Sequence, residues 1–195
     1  MKTRLLCLAA LTALTAIAPA AKPDSQRLNA IWRHVYDRME KQNDAWFDQG
    51  DFPRCIQSLR LMNSVFPTDY ESATSLGWLL ESTEQYDEAL IAYIKFGKDN
   101  LGHPEGPYPE ANFYFMRRLY AKVPALLEPT IKQKPHPNSY RILAHSYEKL
   151  GLLADSKRVW DTYIELSPDD GAAKNNRARV EKKIKGEIPP APAAR

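Results

Sequence analysis

Three prolines and one leucine punctuate this sequence at a nearly constant interval. Pro67, Leu101, Pro135 and Pro168 are separated by 34, 34 and 33 residues. A period of this length is typical of repeat architectures, in which each supersecondary unit must stack on its neighbours to bury its apolar face. Proline suits the boundary of such a unit because it cannot continue a helix and restricts the residue before it. The period therefore predicts a short array of similar helical units.

Each interval contains two helical runs of apolar residues with a turn between them. In the second unit Ala73, Leu76 and Leu80 recur at three and four residues, which places them on one side of a helix. The pattern breaks at residues 82–84 and resumes at Tyr86 on a second helix. The first and fourth units follow the same plan, so the sequence predicts a helix-turn-helix in each unit.

The apolar pattern of three units resembles the tetratricopeptide repeat. The residues that carry this resemblance are Gly50, Asp51, Phe52, Cys55, Leu59 and Pro67 in the first unit, Leu76, Gly77, Tyr86, Ala89 and Tyr93 in the second, and Leu143, Ala144, Tyr147, Gly151, Trp160 and Pro168 in the fourth. The resemblance implies an all-α fold: an α-α superhelix of about four helix-turn-helix units with a C-terminal capping helix. It also implies a scaffold that binds another polypeptide on its concave face.

The repeat register divides the chain into segments. A helical repeat domain is predicted over residues 25–185, with units at about 36–69, 70–103, 104–136 and 137–170 and a polar capping helix at 171–185. In this register Leu28, Ile31 and Val35 fall on the buried side of the first helix, and Ala173, Val180 and Ile184 on that of the cap. The Pro/Ala-rich residues 186–195 predict a disordered tail.

The third unit departs from the pattern because prolines crowd it. Its first helix is expected to begin only at Pro109, and Pro124 suits the start of its second. Pro129 would kink that second helix. The preceding loop, residues 102–109, either bridges two misaligned units or contacts a partner.

The N-terminus has the pattern of a secretory signal peptide. Lys2 and Arg4 precede an apolar run over residues 5–18, and Ala18-Pro19-Ala20 matches a cleavage site, with the cut expected after Ala20. The sequence thus predicts an exported protein, periplasmic or secreted, without a transmembrane segment in the mature chain. Export leaves Cys55 as the only cysteine, which predicts a small buried apolar side chain and no internal disulfide.

Charge is distributed unevenly along the chain, although the net charge is only +3. Residues 68–110 carry nine acidic side chains against two lysines, and residues 171–195 carry seven basic side chains against two acidic ones. The two stretches are either solvated faces or surfaces that orient a charged partner. The basic end predicted for the second role comprises Lys174, Arg177, Lys182 and Lys183. It suits an acidic partner or peripheral association with an anionic envelope surface, whereas export argues against nucleic acid.

The predicted partner-binding groove is lined by residues on the first helix of each unit that point away from the core stripe. These are Asp44, Phe47, Thr74, Trp78, Glu81, Asn112, Phe115, Arg141, His145 and Glu148. Trp78 is read either as an interface anchor or as packing between adjacent repeats. Glu40 and Asp44 would repel the terminal carboxylate that some tetratricopeptide domains grip. No nucleophile elbow, phosphate-binding loop or paired metal-ligand motif occurs, so we predict no catalytic activity, cofactor or metal.

Overall fold

The computed structural model describes residues 25–189, and every regular element in that range is helical. The predicted signal peptide and residues 190–195 of the predicted tail lie outside the described residues. The α-helices of this range are α1 Ser25–Asp48, α2 Phe52–Val65, α3 Tyr70–Ser82, α4 Tyr86–Asp99, α5 Tyr108–Met116, α6 Val123–Leu127, α7 Pro137–Lys149, α8 Leu153–Leu166 and α9 Gly171–Ile184. The all-α prediction is confirmed.

The chain divides into two units, residues 1–38 and 39–195. In the first, the described residues 25–38 form the N-terminal part of α1, where Leu28 and Ile31 are exposed. The prediction that these two side chains are buried is therefore wrong. Helical periodicity identifies an apolar face, but burial also requires a neighbouring surface, which periodicity cannot supply.

In the second unit, helices pack chiefly against their neighbours in the sequence. The principal contacts run from α2 to α3, α3 to α4, α7 to α8 and α8 to α9. Between them lies a core of fully buried large side chains, including Trp160, Tyr140, Leu143, Leu80 and Met62. Sequential packing of this kind is the defining property of a solenoid, in which each repeat contacts the next.

The first helix of each pair ends in the same way. The second residue past the helix has a positive φ angle in each case: Gly50 (73°), Glu84 (63°), Arg118 (61°) and Gly151 (76°). In each case the next residue donates its backbone N–H to a carbonyl five residues earlier: Asp51 to Trp46, Gln85 to Leu80, Leu119 to Tyr114 and Leu152 to Tyr147. This left-handed helix ending satisfies carbonyls that the helix leaves unpaired. The turns predicted at the two glycines are confirmed, and they recur at the same period as the prolines.

Proline shapes the third unit as expected. α5 begins at Tyr108, one residue before Pro109, and Pro124 occupies the first turn of α6. The backbone continues after Leu127 as a 3₁₀ helix over Glu128–Gln133, which contains Pro129. A proline inside an α-helix removes one backbone hydrogen bond and clashes with the preceding turn, so the chain tightens here instead of continuing the α-helix.

The loop that precedes α5 is packed against its own chain. The His103 ring stacks on Tyr70 with 5.4 Å between centroids and meets the edge of Phe96. The Glu105 carboxylate accepts a hydrogen bond from the backbone N–H of His136, the N-cap residue of α7, the first helix of the fourth unit. These contacts support the interpretation that the loop bridges neighbouring units.

Cys55 lies in the core, as predicted. Its side chain is buried and its Sγ donates to the carbonyl of Asn43 over 3.5 Å. Burial, aided by the nearby Asp51 carboxylate, raises the pKa of the thiol. The side chain therefore acts as a small apolar packing residue with little thiolate character.

At the end of α9, Gly186 has φ 74° and Glu187 donates its backbone N–H to the carbonyl of Lys182. These two residues close the helix, so the prediction that a disordered tail starts at residue 186 places its beginning too early. The prediction that Ile184 contacts the array is also wrong, because its side chain is exposed. Ala173 and Val180 are the buried residues of α9, in agreement with the pattern.

Gly77 allows α3 and α4 to approach closely, and Gly77→Ala should therefore destabilise the protein. A Cβ at this position would lie 2.0 Å from Cε1 of Tyr93. The Tyr93 ring is buried and its hydroxyl donates to Glu81 over 2.9 Å, which restrains it from moving aside. We expect a loss of about 1–3 kcal/mol in the free energy of unfolding, measured by urea denaturation.

The matched control is Gly102→Ala, where an added Cβ meets no atom within 4 Å. Its effect should stay within about 0.5 kcal/mol. Equal effects at the two glycines would show that the close approach of α3 and α4 does not constrain residue 77.

Candidate partner-binding surface

Three aromatic side chains form a partly exposed cluster, here called the aromatic patch, which comprises Phe47, Phe52 and Trp78. The Phe47 ring centroid lies 5.9 Å from that of Trp78 and 5.5 Å from that of Phe52. Trp78 is 54% exposed and Phe47 is 43% exposed. Trp78 packs against the aromatic side chain of the preceding repeat, and more than half of it faces solvent. Its role as an interface anchor stays a prediction.

Local backbone structure brings the patch together. Phe47 lies in the last turn of α1, where its carbonyl accepts the backbone N–H of Gly50 over 2.9 Å. The left-handed Gly50 then reverses the chain, and Phe52 begins α2 beside Phe47. The repeat pattern includes Phe52 but does not reveal its place in the patch, because the contact depends on the angle between two helices.

Two predicted groove residues border the patch. Asp44 is exposed on α1, one turn before Phe47. Thr74 is half-buried on α3, one turn before Trp78, and its hydroxyl donates to the carbonyl of Tyr70 over 2.9 Å. The hydroxyl is therefore partly engaged within its own helix, whereas the Asp44 carboxylate is solvated.

Glu81 has a structural role within the chain. Its carboxylate accepts the Tyr93 hydroxyl and the Arg117 guanidinium, each over 2.9 Å. The same guanidinium lies 3.5 Å from the ring centroid of Phe113, on α5. Glu81 and Arg117 thus join α3 to α5, and each side chain is about a quarter exposed to solvent.

The residues predicted on α5 are less exposed than those of the aromatic patch. Asn112 and Phe115 are half-buried, and the Phe115 ring meets the edge of Tyr120 at 5.5 Å between centroids. Met116, next to them, is the exposed apolar residue on this helix. Phe115 therefore packs against its own chain, whereas Met116 faces solvent.

On α7, Arg141 is engaged with the terminal helix. Its guanidinium donates to Asp170, the N-cap of α9, over 2.8 Å and to the Tyr163 hydroxyl over 3.3 Å. Hydrogen bonds from Arg141 and from the backbone N–H of Ala173 hold the pKa of Asp170 well below its usual range. The carboxylate that Arg141 contacts thus belongs to its own chain.

Glu148 does not face a groove, and its prediction as a groove residue is wrong. It is 6% exposed and lies under α9, where it accepts hydrogen bonds from Arg179 (2.7 Å) and Lys183 (2.8 Å). His145, the third predicted residue on α7, is half-buried with Nδ1 3.5 Å from the same carboxylate. Burial opposes ionisation of Glu148, but these three partners outweigh it and hold its pKa well below the usual range.

Solved structures of similar fold include a tetratricopeptide repeat protein from Parabacteroides merdae ATCC 43184. It is 19% identical with a TM-score of 0.61, and the alignment covers 79% of this chain and 61% of that protein. The chain has the tetratricopeptide-repeat fold. The predicted α-α superhelix and the resemblance on which it was based are thereby confirmed.

Two structures of MamA protein also share this tetratricopeptide-repeat fold. One is 18% identical with a TM-score of 0.55, covering 80% of this chain and 97% of MamA. The other, labelled AMB-1, is 16% identical with a TM-score of 0.58, covering 78% and 83%. Identities this low establish the fold alone. No protein-family model and no curated protein matches the sequence.

In this tetratricopeptide-repeat fold, α9 uses much of the predicted basic end for internal contacts. Arg177 pairs with Asp161 (2.9 Å) on α8 and with Glu181, and Lys183 pairs with Glu148. Lys174 and Lys182 are exposed, and neither forms an ion pair within residues 25–189. The cations that remain for an external partner are thus fewer than the sequence indicates.

A separate cavity of about 570 Å³ lies between α2 and α4 over α3. Its apolar lining includes Leu76, Leu80 and Phe96, and the Arg60–Glu88 ion pair connects α2 to α4 beside it. The sequence does not reveal this cavity, because the spacing of Leu76 and Leu80 is that of core residues. No described helix is long and apolar enough to cross a membrane, and no group of three or more potential metal ligands occurs among residues 25–189.

Proposed function

We propose that this chain is a non-catalytic scaffold that binds a polypeptide partner at the aromatic patch. The observation that carries the proposal is the exposure of Trp78 and Phe47 side by side on two successive repeats. Exposed aromatic side chains supply large contact areas at little entropic cost and are enriched at binding hot spots. Stacked helical repeats offer the extended concave surface that such a partner requires.

The proposed setting is the cell envelope or the outside of the cell. The basic start, apolar run and small-residue cleavage site of residues 1–20 support export. After export Cys55 would be the one cysteine left, and its thiol is buried. A fold that is stabilised by helix packing suits a compartment in which exposed thiols oxidise.

The absence of a catalytic role is part of the proposal. The sequence contains no motif that activates a nucleophile or cradles a phosphate. Several candidate polar side chains in the described helices, such as Glu81 and Glu148, already have partners within the chain. Their contacts stabilise the array instead of leaving reactive groups at the surface.

Trp78→Ala should abolish most partner binding without unfolding the protein. Truncation of a hot-spot tryptophan costs at least about 2 kcal/mol of binding free energy, which raises the dissociation constant roughly thirtyfold. The thermal midpoint should change little because more than half of the side chain is already exposed. Partners are captured by crosslinking in a cell-envelope fraction, and the affinity of each purified partner is then measured for both proteins.

Ile91→Ala is the matched control, because Ile91 is an exposed apolar residue of α4 that lines the cavity between α2 and α4. It should leave partner recovery unchanged. Equal recovery of every partner by wild type and Trp78→Ala would reject the aromatic patch as the binding surface. Loss of recovery with Ile91→Ala alone would assign binding to the cavity between α2 and α4.

Binding of an acidic partner or an anionic envelope surface through the basic end is the alternative, and it stays a prediction. Its test is Lys174→Gln combined with Lys182→Gln, since both side chains are exposed and the ion pairs of Arg177 and Lys183 remain intact. Binding lost in this variant but retained in Trp78→Ala would favour the basic end over the patch.

A further inference from the structure

The aromatic patch is bordered by carboxylates on both of the helices that expose it. Glu40 and Asp44 precede Phe47 by seven and three residues on α1, and Glu71 precedes Trp78 by seven residues on α3. Spacings of three and seven residues place side chains on the same face of a helix. All three carboxylates are exposed. The exposed aromatic surface is thus continuous with negative charge along each helix.

Within the described part of the chain these carboxylates are not paired with a basic side chain. None of the three forms an ion pair there, in contrast to Glu81, which pairs with Arg117. The helix α3 contains no Lys or Arg, and residues 39–48 contain only Lys41. Lys41 is three residues before Asp44, close enough to be its neighbour on the helix, but the two form no ion pair. Lys41 is six residues from Phe47, which turns it about 120° away from that side chain around the helix. The charge of this face is therefore open to a partner.

The two basic side chains predicted for the same groove have partners elsewhere in the chain. Arg141 pairs with Asp170, and His145 lies against Glu148. Both carboxylates belong to the C-terminal helix pair and the cap, so these basic groups are directed to internal contacts. An acidic peptide or a free C-terminal carboxylate would consequently meet negative charge at the patch. Arg141 and His145 already contact carboxylates of their own chain.

We propose that the partner segment bound at the aromatic patch carries a lysine or arginine beside an apolar side chain. This inference rests on the proposed function and specifies its ligand chemistry. The apolar side chain packs on Phe47 and Trp78, while the cation lies over an aromatic ring and faces the carboxylates of Asp44 and Glu71. Tryptophan is the strongest cation–π acceptor among the amino acids, and charge complementarity favours a basic partner over a neutral one.

The test uses three pools of labelled random peptides with the same apolar composition, in which the variable polar positions are Lys/Arg, Gln or Glu. Binding to the full-length exported protein is followed by fluorescence polarisation. The basic pool should bind most tightly and the acidic pool least. Asp44→Asn combined with Glu71→Gln should weaken the basic pool about tenfold, because two exposed charge pairs are lost.

The control for net charge is Glu165→Gln combined with Glu187→Gln, which removes two exposed carboxylates at the other end of the chain. It should leave binding of the basic pool unchanged.

Trp78→Leu tests the aromatic contribution, since it keeps an apolar side chain but removes the π face. This variant should weaken the basic pool more than the neutral pool. Melting curves of all variants verify that they are folded.

The outcomes separate the two proposals. Equal affinity for basic and neutral pools, with loss of both in Trp78→Ala, would overturn the inference about charge and leave the patch as a polypeptide-binding surface. An equal loss of basic-pool binding in the Glu165/Glu187 control would also overturn it, since attraction would then follow net charge alone. Binding that is indifferent to Trp78→Ala, or absent for every pool, would overturn both.

Discussion

Leu143→Ala should lower the free energy of unfolding by about 2–5 kcal/mol, the range found when a core leucine is truncated. Leu143 is fully buried on α7, at 0% exposure, and the neighbouring Tyr140 and Ala144 are buried with it. Removing its isobutyl group sacrifices apolar burial and leaves a cavity between α7 and its neighbours. The stacked helices can close that cavity only by shifting the repeat interface, so relaxation recovers little of the loss.

The measurement is a urea denaturation curve for each protein. Leu61→Ala serves as the control, because Leu61 is an exposed leucine in the interior of α2. Its effect should fall within about 0.5 kcal/mol. A Leu143→Ala effect as small as that of the control would mean that the core stripe of α7 has been assigned to the wrong face.

Sequence alone predicted the fold because two of its determinants are local. The 33–34 residue period and the spacing of Leu76 and Leu80 both reflect helix geometry, which depends on neighbours three and four residues away. Pro129 likewise acts on its own turn, and the α-helix gives way to a 3₁₀ helix where the sequence indicated.

The helix endings at Glu84 and Arg118 illustrate what the pattern could not reveal. Both residues adopt the left-handed conformation that Gly50 and Gly151 adopt in the other units. Nothing in a glutamate or an arginine signals a positive φ angle, since this conformation is unfavourable for residues with a Cβ. The apolar pattern breaks at residues 82–84, but only the repeat register, applied from the glycines at a spacing of 33–34 residues, would have indicated the left-handed conformation at Glu84 and Arg118.

The candidate site was predicted where it depended on one helix and missed where it depended on two. Trp78 is exposed as the α3 pattern indicated, whereas Phe52 joins it only through the chain reversal at Gly50. Glu148 was assigned to a polar face of α7, and that assignment was correct for an isolated helix. Its partner Arg179 is 31 residues away on α9, and helical periodicity carries no information about a contact at that separation.

Glu148→Gln should be strongly destabilising, because it removes the charge that two cations of the terminal helix require. The Glu148 side chain is 5% exposed, and its oxygens accept hydrogen bonds from Arg179 (2.7 Å) and Lys183 (2.8 Å). Lys183 is itself only 10% exposed, so its charge cannot be fully solvated once the carboxylate is gone. We expect the free energy of unfolding to fall by about 3 kcal/mol. This is the low end of the range for breaking a buried ion pair, because Arg179 keeps access to water.

The same carboxylate should make the protein sensitive to acid. The pKa of Glu148 is lower in the folded protein than in the unfolded chain. Its ionised carboxylate therefore adds to the free energy of unfolding above the ordinary glutamate pKa of about 4.3, and this contribution is lost as the pH falls below that value. Wild type and Glu148→Gln are therefore compared by urea denaturation at neutral pH and at several values below pH 4. Their difference in stability should shrink as the solution becomes more acidic. Glu181→Gln, which removes a partly exposed carboxylate of α9 that pairs with Arg177 and Lys185, should have a smaller effect at neutral pH. A Glu148→Gln loss no larger than that of Glu181→Gln, or a gap that stays constant with pH, would show that α9 docks through Ala173 and Val180 without help from this charge.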